Sequence, residues 1–196
     1  MREVVAHELV HTLAITGIAR KLDSLRQRHP RLPSDLDDDL IQRGFMGRPA
    51  VDSAMRREIA MLYEAVAERD DGAARSLARR ALDLLRERRA KYFADSADAY
   101  APMEDVFLNM EGSATWGALQ LTIRRNPGTP PADVLGRFRG GRKWWSQEEG
   151  LSLFLLVDRW VPGWVARVLP PELASPVALL GEALSDRGRG APQPSH

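Results

Sequence analysis

Cysteine is missing from all 196 positions, which excludes disulfides, thiolate zinc sites and cysteine nucleophiles at once. Lysine is nearly missing too. It occurs only at Lys21, Lys91 and Lys143, so arginine supplies almost all of the positive charge. The 28 basic and 27 acidic side chains leave a formal charge of +1, and no nucleic-acid partner is expected from charge. Long apolar runs are also absent. The longest, Leu151–Val157, is broken by Ser152 and falls far short of the about 20 residues needed to cross a bilayer, so no membrane segment is expected. The apolar/polar alternation of a half-buried strand is lacking, as is any internal repeat. No secretory leader pattern precedes the first helix as written, and the compartment stays open.

What is present is helical periodicity, in a length that suits one domain. Val4, His7, His11, Ala14, Ile18 and Leu22 share a stripe, predicting a helix from Met1 to about Gln27 that ends at His29-Pro30. A long connection through Pro33, Gly44, Gly47 and Pro49 follows, with a short helix near Leu36–Arg43. Met55, Ile59, Leu62 and Val66 mark a second long helix opening after Asp52 or Ser53. A third opens after Asp70-Asp71 and carries Leu77, Ala81, Leu84, Leu85 and Tyr92; its face of Arg79, Arg80, Arg86, Glu87 and Arg89 is expected to be solvated. Pro102 suits the first turn of a fourth, which reaches about Arg125. A short helix over Ala132–Phe138 leads to a Gly-, Arg- and Trp-rich loop, Gly140 to Trp145, whose tryptophans are expected to pin it to the core. Ser146 and Glu149 have capping-box spacing and open a helix through about Trp160. Two short helices complete an all-α domain over residues 1–184, and the polar tail 185–196 is expected to be disordered.

Two of the four histidines carry the functional reading. Ala6-His7-Glu8-Leu9-Val10-His11 places H-E-x-x-H inside the first helix. Histidines four residues apart project from one helix face, close enough to hold one Zn²⁺. The intervening glutamate can reach a water on that metal and take its proton. A catalytic zinc also needs a third protein ligand and an open position. The longer pattern with a third histidine fails, because Ala14 stands where it has glycine and Gly17 where it has histidine. His29, near a helix end, and His196, in the tail, read as surface residues. The third ligand is therefore expected to be a carboxylate, with Glu111, Asp37 to Asp39, Glu58 and Glu64 as candidates.

The segment Glu111-Gly112-Ser113-Ala114-Thr115-Trp116 is similar to the E-G-x-A-x-[YW] segment of gluzincin-type metallopeptidases. With H-E-x-x-H before it, the pair resembles that family's zinc centre in type and order, over about thirty residues in all. Glu149-Gly150-Leu151, with Leu155, Asp158 and Trp160, resembles the helix that packs behind such sites. The resemblance implies a zincin-like helical domain whose Zn²⁺ lies between the first helix and a later Glu-bearing helix, held by His7, His11 and Glu111. It also implies Glu8 as general base and a peptide or protein as substrate. Gly112 and Ala114 are expected to let the Glu-bearing helix approach the first. Two departures stand out: a long interval between His11 and Glu111, and no room upstream for the β-sheet that precedes such a metal helix. An oxyanion donor is expected from Tyr100, then Tyr92 or Tyr63, and Thr115 is placed one turn after Glu111 to accept from an imidazole. The expected activity is zinc-dependent hydrolysis of peptide bonds. The alternative is a catalytically inactive zincin-like helical interaction domain or fragment, and a third account is a bundle whose histidine spacing is coincidental.

Overall fold

Ala14, Ile18, Leu22 and Leu25 recur at helical spacing and carry α1 (Arg2–Arg28) onto the rest of the chain, with Ala14, Ile18 and Leu25 fully buried. The computed structural model describes residues 2–30, 32–33, 36, 40–45, 47–93, 97–139 and 144–185. Among these residues there is no strand. After α1 come α2 (Leu40–Phe45), α3 (Pro49–Ala67), α4 (Asp71–Tyr92), α5 (Ala97–Arg125), α6 (Pro131–Arg139), α7 (Trp145–Trp160), α8 (Trp164–Val168) and α9 (Pro176–Ser185). The all-α class is as expected. Asp37 to Asp39, residues 140–143 of the Gly/Arg/Trp loop and positions 186–196 of the tail lie outside the described residues. Ser185, expected in the tail, closes α9.

Local signals explain most helix starts. Asp70 caps α4 by accepting from the Ala73 N–H at 2.7 Å. Helix α3 opens at Pro49, earlier than Asp52, with proline in its first turn and Val51 already buried. Helix α5 opens five residues before Pro102, which therefore sits inside it. Ala99 and Met103, one turn apart and both buried, give that added turn its packing reason. The capping box expected at α7 does not form. Its N-cap is Trp144, whose side chain makes no capping hydrogen bond, Ser146 Oγ is buried without a partner, and Glu149 turns into the core.

Helix α5 lies between α1 and α7, while α3 packs on α4 and α7, and α9 packs against α7 and α4. The α5–α7 crossing is made by glycines. A Cβ on Gly112 would stand 2.6 Å from the Gly150 carbonyl carbon, and one on Gly150 would stand 2.7 Å from Gly112 Cα. Rigid backbone occupies the space a side chain would need, so only glycine fits at either position. Gly112 thus lets α5 approach α7, whereas its expected partner was the first helix. On the α1 side the close contact is Gly117, whose added Cβ would meet Val10 Cγ2 at 3.2 Å.

A buried charge cluster fills the space between α3, α4, α5 and α7. Arg88 donates from Nε and Nη2 to Glu58 at 2.9 and 3.0 Å, and from Nη1 and Nη2 to Glu104 at 2.9 and 3.2 Å. Arg89, expected on a solvated face, instead donates to Glu104 and Asp105, both at 2.7 Å. Glu149 is fully buried, neither carboxylate oxygen is hydrogen-bonded, and Arg88 Nη2 lies 3.6 Å from Oε1. Burial, then the charge of Glu58, hold the Glu149 carboxyl well above the usual carboxylate range. A raised folded pKa stabilises the fold below the unfolded value, and that contribution is lost as pH rises through the folded value. Glu149→Gln, a neutral mimic of the protonated acid, is therefore expected to gain stability over the parent as pH rises. Melting curves of both proteins between about pH 5 and about pH 9 check this. A constant deficit of the variant across that range would contradict it.

Candidate metal centre

One turn of α1 and the middle of α5 face each other where Glu111 is buried. His7 and His11, one turn apart, project toward it with ring centroids 4.5 Å apart and planes at 86°. Their Nε2 atoms approach to 2.9 Å. Glu111 Oε2 lies 3.3 Å from His7 Nε2, and Oε1 lies 3.1 Å from His11 Nε2. The two histidines are partly open to solvent, while the Glu111 side chain is only 4% exposed. Among the described residues this is the group whose ligand atoms converge closely enough for one metal ion.

The donor set fits a small divalent cation. A tetrahedral ion with nitrogen and oxygen ligands at about 2.0–2.1 Å needs them about 3.3–3.4 Å apart. The two imidazole nitrogens stand somewhat closer than that, each faces a different oxygen of Glu111, and one ligand atom from each residue lies within 4.8 Å of the others, so small side-chain adjustments would complete the shell. Two imidazole nitrogens at 2.9 Å would otherwise oppose lone pairs, so a proton or a cation must stand between them. Burial alone would raise the Glu111 pKa, but hydrogen bonds with His11 and His7, the charge of His11 and a hydrogen bond from Gln147 hold it down to about 2. Glu111 is accordingly a full carboxylate at neutral pH, the form that binds metal.

The structure brings His7, His11 and Glu111 together and leaves the other named residues elsewhere. Glu8 is exposed on the flank of α1 beside the histidine pair. Tyr100 lies eleven residues before Glu111 on α5, about 16 Å along the axis, and packs edge-on against Phe45 and Phe93. Tyr92 belongs to the same aromatic cluster, and the Tyr63 hydroxyl donates to the Glu148 carbonyl at 3.2 Å. Thr115 is fully buried. Of the rival carboxylates, Glu58 is tied to Arg88 and Glu64 is exposed. His29 follows the end of α1, its backbone N–H bonded to the Leu25 carbonyl. Trp116 packs edge-on against Trp164 at 4.8 Å, anchoring the Glu111 segment to the core.

Two residues escaped the sequence reading. Gln147 on α7 donates its Nε2–H to Glu111 Oε2 at 2.9 Å, and only its place one turn before Gly150 hints at this. Arg88 was legible in principle, since it falls on the apolar stripe of Ala81, Leu85 and Tyr92, where a charge demands a partner.

Among the described residues the fold is all-helical, with a His/His/Glu group at the contact of α1 and α5. Compared with protein-family models, curated proteins and solved structures, the chain matches none of them.

Proposed function

We propose that this chain is a zinc-dependent peptidase domain, with His7, His11 and Glu111 as metal ligands and Glu8 as general base. One observation carries the reading. Donor atoms from residues 7, 11 and 111 converge to within 4.8 Å of one another, beside an exposed glutamate in H-E-x-x-H register.

Zinc bound there supplies a Lewis acid for the scissile carbonyl and makes a water nucleophilic near neutral pH. The protein's part is positional and proton-carrying. Helix α1 fixes both imidazoles on one face, and Glu111 supplies the compensating negative charge from α5. Glu8 Oε, free of any buried partner, takes the proton of the attacking water and delivers it to the leaving amine nitrogen. Glu8→Gln is expected to keep the metal while lowering peptide hydrolysis about 10²- to 10⁴-fold. A variant that hydrolyses as fast as the parent would remove Glu8 from the mechanism.

A second reading, a non-catalytic helical interaction domain, has one observation in its favour. Val5, Leu9 and Leu13 run along α1 at i, i+4, i+8 and are 64, 61 and 61% exposed, and Val4, expected in the core stripe, is 59% exposed. A parent protein that binds zinc and yet cleaves no member of a mixed peptide library favours this second reading.

A further inference from the structure

The crossing of α5 and α7 does more than close the core. Gly150 meets Gly112 backbone to backbone, so the turn of α7 before Gly150 must run alongside the residue before Gly112. Those positions are Gln147 and Glu111. The crossing thereby sets the amide of Gln147 2.9 Å from Glu111 Oε2, an oxygen that also lies 3.3 Å from His7 Nε2. Glu111 is held from two sides: the histidines of α1 face one side of its carboxylate, and α7 reaches it through the neutral amide of Gln147.

We infer that Gln147 is a positioning residue for the metal site, fixing the rotation of the Glu111 carboxylate so that Oε1 is presented to a cation shared with His7 and His11. This rests on the reading of the site as a metal centre. An amide suits the task better than a charged donor. A lysine or arginine here would neutralise Glu111 and compete with the cation, whereas an amide N–H orients the carboxylate and leaves its charge available. With Oε2 occupied by this hydrogen bond, ligation through Oε1 alone is favoured over a chelating carboxylate. That keeps a coordination position open, which a hydrolytic site requires. The sequence spacing is consistent with this role: Gln147 and Gly150 are three residues apart and so lie on the same face of α7.

The test is metal affinity, independent of turnover. Zinc affinity is measured by competition with a chromophoric chelator on the parent, on Gln147→Met, which keeps length but lacks the donor, and on Gln147→Ala. Visible absorption of the cobalt-substituted proteins and melting curves of the metal-free ones are recorded beside it. The expected result is a 10- to 100-fold weaker zinc affinity in both variants and a changed cobalt band. Metal-free melting temperatures should stay close to the parent's, because Gln147 is only half-buried. A variant that does not fold leaves the other to decide, and the two differ in bulk. Affinities within about threefold of the parent, with a superimposable cobalt spectrum, would overturn the role of Gln147 while leaving the metal centre standing. A parent that binds neither zinc nor cobalt would overturn both.

Discussion

Arg88→Met is expected to destabilise the fold by about 3–5 kcal/mol, the cost of removing one partner from a buried ion cluster. For a chain of this size that is a fall of about 10 °C or more in melting temperature. The Arg88 side chain is 1% exposed and makes four hydrogen bonds, two to Glu58 and two to Glu104. Burial would lower its pKa, but the charges of Glu104 and Glu58 and a hydrogen bond to Glu58 outweigh that and hold it well above the ordinary value. Burial likewise pushes Glu104 up, and Arg88 and Arg89 more than reverse it. Methionine fills the volume but strands two carboxylates in a site that water does not reach. Arg89 still pairs with Glu104, so Glu58 takes most of the penalty. Adding Glu58→Gln and Glu149→Gln to Arg88→Met should recover a large part of the loss. If Arg88→Met alone melts within a degree or two of the parent, the cluster is not the electrostatic centre of the fold.

The second large effect concerns the metal. Glu111→Ala is expected to weaken zinc binding by more than the 10- to 100-fold that loss of an outer hydrogen-bond partner costs, because it deletes a ligand and its charge together. Two imidazoles four residues apart would remain, a pair open to any transition metal and selective for none. His7→Ala should do the same from the other side of the site, leaving one imidazole and a carboxylate. Affinity measured by chelator competition separates the cases. A Glu111→Ala protein with parental affinity would mean that the third ligand is another residue, even though Glu111 stands 3.1 and 3.3 Å from the two histidines.

Much of this was legible in the sequence, and the failures share a cause. The stripe through His7, His11, Ala14 and Ile18 located α1 to within a residue at each end, since periodicity over seven turns leaves little freedom. The conjunction of H-E-x-x-H with the Glu111 segment named the three side chains that the fold brings together. What went astray depended on three-dimensional partners. Ser146 and Glu149 have the spacing of a capping box, but Glu149 is drawn into the cluster around Arg88, and burial outweighs a cap worth about 1 kcal/mol. Gly112 was rightly read as a contact glycine, but which helix it touches depends on Gly150, nearly forty residues on. Tyr100 precedes Pro102, the expected start of the Glu-bearing helix, but α5 opens at Ala97 and takes Tyr100 into its first turn. That helix is long and straightens the distance out to about 16 Å. Arg89 looked solvated because its neighbours are, yet α5 brings Glu104 and Asp105 against it.

The most direct test of the metal assignment is zinc stoichiometry, by elemental analysis of the purified protein after incubation with zinc and removal of the excess. The account predicts about one zinc per chain, the capacity of a single four-coordinate site, and its loss in Glu111→Ala. A parent protein that emerges without zinc would contradict it, and would leave His7, His11 and Glu111 as a proton-bridged contact between two helices.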